Sequence, residues 1–223
     1  MAFKRIADNT QDTSVATRLR RQRFQIFWDL LHSIPGTVKI LDIGGTYQFW
    51  EMMTADFALE QPFHVTLLNP EPETIHHPNF SSLAGDGRAM PNFRNGQFEV
   101  VFSNSTIEHV GSFADQMRMA NEIRRVGQRF FVQTPNRYFP IEPHFVFPFF
   151  QFLPIVVRVW LVQHFDLGWF SRIPDQSTAR REVTSIRLLN RSDFVQLFPQ
   201  AQIFEERFYG LVKSFIAYTP VNR

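Results

Sequence analysis

The sequence predicts an α/β fold in which a doubly wound, mainly parallel sheet carries helices on both faces. Short apolar segments alternate with helical patterns between residues 38 and 136, which is typical of this class. Glycine-rich or polar residues follow these segments. The 223 residues fit one α/β domain with a modest insertion, so we expect a single domain over residues 1–223. Hydrophobic residues make up 44% of the chain, which is enough for a core.

The first expected element is a helix over residues 14–34, after a polar stretch over residues 1–13. Apolar residues recur at helical spacing from Leu19 to Ile34, and Pro35-Gly36 ends the pattern.

Five apolar segments are expected to form the parallel strands, at residues 38–43, 63–68, 80–84, 98–102 and 129–133. Helices are expected from about Gln48 and over residues 113–126. Ligands of such sheets bind beyond the carboxyl ends of the strands. The polar and glycine-rich residues at those ends therefore predict a binding site.

The end of the chain follows a different pattern. A short helix is expected over residues 191–198, with Asn190 or Ser192 as its N-cap. Segments 201–208 and 211–218 are expected to be strands, joined so closely at Tyr209-Gly210 that they must be antiparallel. The sheet should therefore end in an antiparallel hairpin strand.

Residues 141–189 break the alternation and are rich in Phe, Trp and Pro. We interpret them as a helical insertion that forms a cap. The apolar run from Phe145 to Val162 is interrupted by Pro148, Gln151, Pro154 and Arg158, which argues against a membrane-spanning helix.

Composition excludes several other classes of function. The chain has no cysteine, and its His, Asp and Glu residues show no paired ligand spacing, so no metal site is predicted. Its formal charge is only +2 and its basic residues are dispersed, so no nucleic-acid partner is expected. The first residues lack the apolar run of a signal peptide, which favours a cytoplasmic location.

Three motifs carry a resemblance to a known family. The stretch Val38–Thr46 resembles the first motif of class I S-adenosylmethionine-dependent methyltransferases. Leu83–Asp86 is similar to their third-strand motif, and Phe98–Val110 is similar to the fourth-strand motif of the methyltransferase type 11 group. The resemblance covers about residues 36–136 and 190–219, including the reversed last strand.

The resemblance implies a Rossmann-like fold with S-adenosylmethionine as the cofactor. The implied cofactor-binding residues are Asp42, Gly44, Gly45, Thr46, Asn69, Gly85, Asp86, Gly87, Ser103 and Asn104. Glycines let the backbone approach a ligand, and the following helix offers free N–H groups to the methionine carboxylate. Asp42 would accept a hydrogen bond from the cofactor's ammonium group, and Asp86 would accept one from its adenine amino group.

The sequence departs from the family pattern at two places. Thr46 and Gln48 stand where further glycines are usual, and Asn69 stands where an acid usually binds the ribose. An inactive, cofactor-binding partner subunit is therefore an alternative. A nicotinamide dehydrogenase is disfavoured because Gly44–Phe49 lacks two glycines of Gly-x-Gly-x-x-Gly.

The acceptor is expected beside the fourth and fifth strands. His109 and His144 are the candidate catalytic bases, and Tyr138 and His144 are the candidate acceptor-binding residues. The aromatic cap predicts a small, apolar or lipid-like acceptor. With the arginines from Arg18 to Arg23, the cap also leaves open a peripheral membrane-binding module as an alternative.

Overall fold

In a computed structural model, the chain is described over residues 15–56 and 62–220. The polar stretch 1–13 and the side chains of residues 15–21, including Leu19, Arg18, Arg20 and Arg21, lie outside the described part. The α-helices within it are α1 Val15–His32, α2 Tyr47–Asp56, α3 Phe113–Val126, α4 Ile155–His164, α5 Gln176–Ser185 and α6 Arg191–Leu197.

Seven strands form one sheet and two form a separate hairpin. The sheet strands are β1 Val38–Ile43, β2 Phe63–Asn69, β3 Phe80–Ala84, β4 Phe98–Asn104, β5 Gly127–Pro135, β8 Gln202–Phe208 and β9 Leu211–Tyr218. Their order is β3-β2-β1-β4-β5-β9-β8, and β9 is antiparallel to both of its neighbours. The predicted parallel sheet with a reversed hairpin strand is confirmed.

Helices cover both faces of the sheet. On one face, α1 and α2 bury a core that includes Phe27 and Trp50, and the rings of Phe27, Phe102 and Phe131 pack within 5.4 Å of one another. On the other face, α3 and α6 bury a second core. The doubly wound arrangement therefore follows from two apolar faces, each covered by its own helix pair.

Local signals explain most of the element boundaries. Ser112 caps α3 in a capping box with Asp115, and Asn190 caps α6 by accepting from the backbone N–H of Asp193. Asn190 is thus the N-cap rather than Ser192. Strand β5 begins two residues earlier than predicted because Gly127 already pairs with Phe98 of β4.

The cap contains the hairpin of β6 Ile141–Glu142 and β7 Phe147–Pro148, a 3-10 helix at Phe150–Phe152, and helices α4 and α5. It has a small apolar core of its own, formed by Phe145, Phe150, Val159, Val162, Leu167, Ala179 and Val183. The prediction of a helical insertion is confirmed. Among the described residues, none of the helices has the length and apolar character needed to cross a bilayer.

Candidate functional site

The glycine loop follows β1 at the carboxyl edge of the sheet. Gly44 has a φ of +81°, and a Cβ atom there would lie 2.3 Å from the Thr106 hydroxyl oxygen. A Cβ atom on Gly45 would lie 1.7 Å from Oδ2 of Asp42. Both positions therefore require glycine, because the loop packs closely against the side chains of Thr106 and Asp42.

Asp42 lies fully buried beneath this loop. Its Oδ2 accepts a hydrogen bond from the indole N–H of Trp50 at 2.7 Å, and its Oδ1 is buried without a partner among the described groups. Burial raises the pKa of Asp42 to about 7, and the Trp50 hydrogen bond only partly opposes this. The unpartnered oxygen can accept a hydrogen bond from a cationic group of a bound cofactor.

Nearby side chains accept hydrogen bonds from some of the free backbone N–H groups at the start of α2. The Thr46 hydroxyl accepts from the backbone N–H of Phe49 at 3.3 Å, so Thr46 acts as a helix cap. The Glu73 carboxylate accepts from the N–H of Tyr47 at 3.2 Å. Asn69 donates to the carbonyl of Gly45 at 2.8 Å and thereby fixes the loop.

Asp86 lies at the end of β3 with its side chain 48% exposed. Arg88 donates to both carboxylate oxygens at 2.7–2.9 Å, and these hydrogen bonds lower the pKa of Asp86. A Cβ atom on Gly85 would meet Leu68, and one on Gly87 would meet Ile43. This turn therefore presents an ionised acceptor at the rim of the sheet.

Ser103 and Asn104, at the end of β4, make contacts that belong to the scaffold. Ser103 is buried and donates to the carbonyl of Ile43 at 3.2 Å, which joins β4 to β1. The amide oxygen of Asn104 accepts from Arg23 at 2.8 Å, and Arg23 is paired with the buried Glu206 at 3.1 Å. The Asn104 side chain is therefore committed to α1 in this structure.

The structure brings the two candidate bases together. The Nε2 atoms of His109 and His144 lie 3.0 Å apart, although the residues are 35 positions apart in the chain. Nδ1 of His144 lies 2.6 Å from the Glu142 carboxylate, which also accepts from the backbone N–H of His144 at 2.9 Å. Glu142, His144 and His109 thus form a continuous hydrogen-bonded chain.

The two histidines of this hydrogen-bonded chain have pKa values that are shifted in opposite directions. Burial alone would lower the pKa of His144, but the hydrogen bond to Glu142 and the charges of Glu142 and Glu108 raise it. Burial and then the charge of His144 lower the pKa of His109 to about 4. One proton held by the pair therefore resides on His144, and His109 is neutral.

Glu108 lies beneath the histidines and was not singled out by the sequence. It is fully buried and accepts a hydrogen bond from Thr134 at 3.0 Å, while its Oε1 has no partner among the described groups. Burial is the main reason that its pKa is raised to about 7. In the sequence, the Glu-His pair after β4 and the Glu-Pro-His segment in the cap were the signals that could have identified this cluster.

Tyr138 contacts a different part of the cap. Its side chain is 62% exposed and stacks on Phe152 with ring centroids 6.1 Å apart. No contact with His109 or His144 is found for it among the described residues.

Glu108, His109 and His144 also have the spacing of a three-ligand metal site, because one ligand atom from each lies within 4.8 Å of the others. The sequence predicted no metal site, since His144 is distant along the chain from the other two. The prediction that the chain has no metal site is therefore still to be tested.

Comparisons with known proteins agree with this geometry. Residues 41–129 match the model of a family described as a methyltransferase domain. No curated protein matches the sequence.

Several solved structures share the fold. A SAM-dependent methyltransferase from Aquifex aeolicus is 11% identical with a TM-score of 0.51, over 97% of this chain and 95% of that one. Magnesium protoporphyrin IX methyltransferase from Synechocystis, with bound SAH, is 10% identical with a TM-score of 0.50, over 97% and 91%. A "possible exported protein" from Bordetella parapertussis is 8% identical with a TM-score of 0.55, over 97% and 77%.

At such low sequence identities, the likeness to solved structures shows the fold alone. The match to the family model is the finding that indicates a methyltransferase. The sheet order with its reversed β9 agrees with both. The match over residues 41–129 and the sheet order together support a class I, S-adenosylmethionine-dependent methyltransferase.

Proposed function

We propose that the chain transfers the methyl group of S-adenosylmethionine to an oxygen or nitrogen atom of a small or lipid-like acceptor that binds beside His109. The hydrogen-bonded chain of Glu142, His144 and His109 carries this proposal. The backbone N–H of His109 donates to the carbonyl of Thr106 at 2.9 Å, and the Thr106 side chain packs over Gly44. The histidines are therefore connected directly to the glycine loop.

The bound cofactor supplies an electrophilic methyl group on a positively charged sulfur. The acceptor would supply the lone pair for the new bond to the methyl carbon, and the sulfur would keep the electrons of the broken bond. His109 removes the acceptor's proton and passes a proton through Nε2 to His144. Glu142 and Glu108 then stabilise the positive charge on His144.

The residues present fit the cofactor at three points. The glycine loop packs directly over Asp42, whose buried Oδ1 lacks a partner among the described groups. Asp86 is exposed and ionised at the rim, and the adenine amino group would share its oxygens with Arg88. The oxygen of Asn69 can still accept from a ribose hydroxyl, because its contact with Gly45 uses the nitrogen.

Cofactor binding can be tested at Asp86. We expect S-adenosylmethionine and S-adenosylhomocysteine to bind the intact chain, and Asp86→Ala to weaken both by about tenfold or more, because a charge-assisted hydrogen bond is lost. Asp86→Asn keeps an acceptor oxygen and should lose less. Calorimetric titration measures the affinities, and Asp166→Ala, an exposed acid in the cap, is the matched control. Absence of binding by the intact chain would contradict the proposal.

The inactive-partner alternative predicts the same cofactor binding and therefore needs a separate measurement. The departures at Thr46, Gln48 and Asn69 motivate it. In the structure, however, Thr46 caps α2 and Asn69 fixes the glycine loop, so both residues have positive roles. Release of S-adenosylhomocysteine in the presence of an acceptor would exclude this alternative.

A membrane-facing cap is a second candidate, favoured by the position of the exposed apolar side chains. Phe149, Val156, Trp160 and Trp169 of the cap are 49–73% exposed. Tryptophan and phenylalanine with this exposure are typical of helices that lie in the membrane interface. A lipid-like acceptor would reach the site from that surface.

This second candidate predicts binding to lipid vesicles. We expect the intact chain to co-sediment with vesicles of phosphatidylcholine and an anionic phospholipid, and the double variant Trp160→Ser/Trp169→Ser to stay in solution. Tyr209→Ser is the matched control, because Tyr209 is 89% exposed in the β8–β9 turn, outside the cap. If the intact chain also stays in solution, the cap does not bind membranes.

A further inference from the structure

A cavity of about 210 Å³ lies between the cap and the end of β5. Its polar lining consists of Arg137, Glu142, Gln151, Arg158 and Arg187. Glu142 is shared with the histidine chain, so the cavity adjoins the proposed catalytic groups. Three guanidinium groups and one carboxylate give this wall an excess of positive charge.

Arg158 is the unusual member of this lining. Its Nε is buried without a hydrogen-bond partner, and no acid lies within ion-pairing distance of it among the described residues. Burial lowers the pKa of Arg158, with Glu142 opposing. The Arg158 side chain as a whole is only partly buried, so the N–H at Nε is the group that lacks a hydrogen-bond partner.

The nearby Glu142 cannot serve as that partner. Its Oε1 accepts from Nδ1 of His144 at 2.6 Å, and its Oε2 accepts from the backbone N–H groups of His144 and Phe145 at 2.9 and 2.7 Å. Both oxygens of Glu142 are therefore committed to holding the histidine. The N–H at Nε of Arg158 is therefore left for another acceptor, although the charge of Glu142 partly offsets that of the guanidinium.

The other two arginines differ in how they are held. Arg187 is fixed by Gln116 at 2.6 Å and by Asp193 at 3.2 Å. Arg137 is exposed at the rim, and its side chain has no ion pair among the described residues. Arg158 and Arg137 thus provide two guanidinium groups without an anionic partner.

Gln151 contributes a buried oxygen atom that a ligand could satisfy only with a hydrogen-bond donor. Its Nε2 donates to the carbonyls of Arg137 and Phe139 at 2.9 and 2.8 Å, which fixes the orientation of the amide. Its Oε1 is buried without a partner in the described structure. A ligand that satisfies both Arg158 and Gln151 carries an anionic group next to a hydroxyl or another donor.

We infer that this cavity binds the anionic group, a carboxylate or a phosphate, of the methyl acceptor. The inference rests on the proposed function in that it assigns the ligand to the same reaction. A volume of about 210 Å³ is sufficient for a charged head group such as a carboxylate or a phosphate. Because Glu142 forms one wall, the remainder of the acceptor extends towards His144 and His109.

The test uses two small oxyanions on the intact chain. Glycolate, a carboxylate with an adjacent hydroxyl, and inorganic phosphate are titrated at constant ionic strength and followed by NMR or calorimetry. We expect at least one to bind saturably, and Arg158→Gln to weaken it by about tenfold or more. Arg180→Gln, an exposed arginine of the cap outside the cavity, should stay within about twofold of the intact chain.

The two oxyanions separate the two ligand classes. Saturable binding of glycolate alone assigns a carboxylate, and saturable binding of phosphate alone assigns a phosphate. No saturable binding of either anion, or equal affinity in the intact chain and Arg158→Gln, would overturn the inference.

Cofactor binding is measured on the same samples, so that the two proposals fail separately. Arg158→Gln should keep the intact chain's affinity for S-adenosylhomocysteine, which also shows that the variant is folded. Cofactor binding without Arg158-dependent oxyanion binding overturns the inference and leaves the proposed function standing. Oxyanion binding by a chain that binds no cofactor overturns the proposed function, and with it the assignment of the anion to an acceptor.

Discussion

Replacing His109 by glutamine is expected to lower kcat for methyl transfer by about 10²–10⁴, the range for loss of a general base. Affinity for the cofactor should not change, because the His109 side chain is hydrogen-bonded to His144 rather than to the glycine loop. The measurement is the initial rate of S-adenosylhomocysteine formation with an acceptor identified by screening small acids and lipids. His164→Gln, an exposed histidine of the cap, is the matched control.

The pH dependence distinguishes a base from a structural contact. His109 can accept the acceptor's proton only when the histidine pair has lost its shared proton, and that proton resides on His144, whose pKa is raised above 6.5. The rate should therefore rise with pH through this raised pKa and be lost below it. Glu142→Gln removes the charge that raises the pKa, so the rising limb should move to lower pH.

Two results would contradict this role. An unchanged rate for His109→Gln would remove His109 from the chemistry. A rate abolished by a chelator and restored by zinc would instead assign Glu108, His109 and His144 as metal ligands, which their spacing permits.

The sequence predicted the sheet well because each strand carries its own local signal. Buried strands such as β1 and β4 are mostly apolar and are ended or followed by glycine or polar residues, so the carboxyl edge of the sheet could be located. The antiparallel pairing of β8 and β9 followed from the short connection at Tyr209-Gly210, and the reversal of the last strand within the sheet was implied by the family resemblance. These signals depend on spacing along the chain, which the sequence displays directly.

Side-chain partners were less predictable, because they depend on distant segments. Asn104 was expected at the cofactor, and its amide oxygen instead accepts from Arg23, 81 positions away. The contact between His109 and His144 depends on how the cap returns to the sheet, and no periodicity encodes that path. Arg158 was seen only as an interruption of an apolar run, although it lines the cavity.

Replacing Gly45 by alanine should be the most damaging single change in the glycine loop. The added Cβ would lie 1.7 Å from Oδ2 of Asp42, and that oxygen is already held by Trp50 at 2.7 Å. Either the loop moves away from the ligand or the buried carboxyl loses its hydrogen bond. We expect the free energy of unfolding to fall by about 3 kcal/mol or more, and cofactor binding to be lost.

Gly36→Ala is the matched control for this change. Gly36 has a φ of +82° with nothing within 4 Å of an added Cβ, so its substitution costs only backbone strain, about 1 kcal/mol. Gly45 has no such φ, so its cost should come from the collision alone. Urea unfolding and calorimetric titration with S-adenosylhomocysteine measure the two effects.

A double-mutant cycle identifies the cause of the damage. If the collision with the Asp42 carboxylate dominates, Gly45→Ala should cost much less stability in an Asp42→Ala background than in the intact chain. Equal costs in the two backgrounds would show that the alanine at position 45 acts through some other contact. Recovery of stability without recovery of cofactor binding would indicate that Asp42 itself takes part in binding, as its unpartnered Oδ1 suggests.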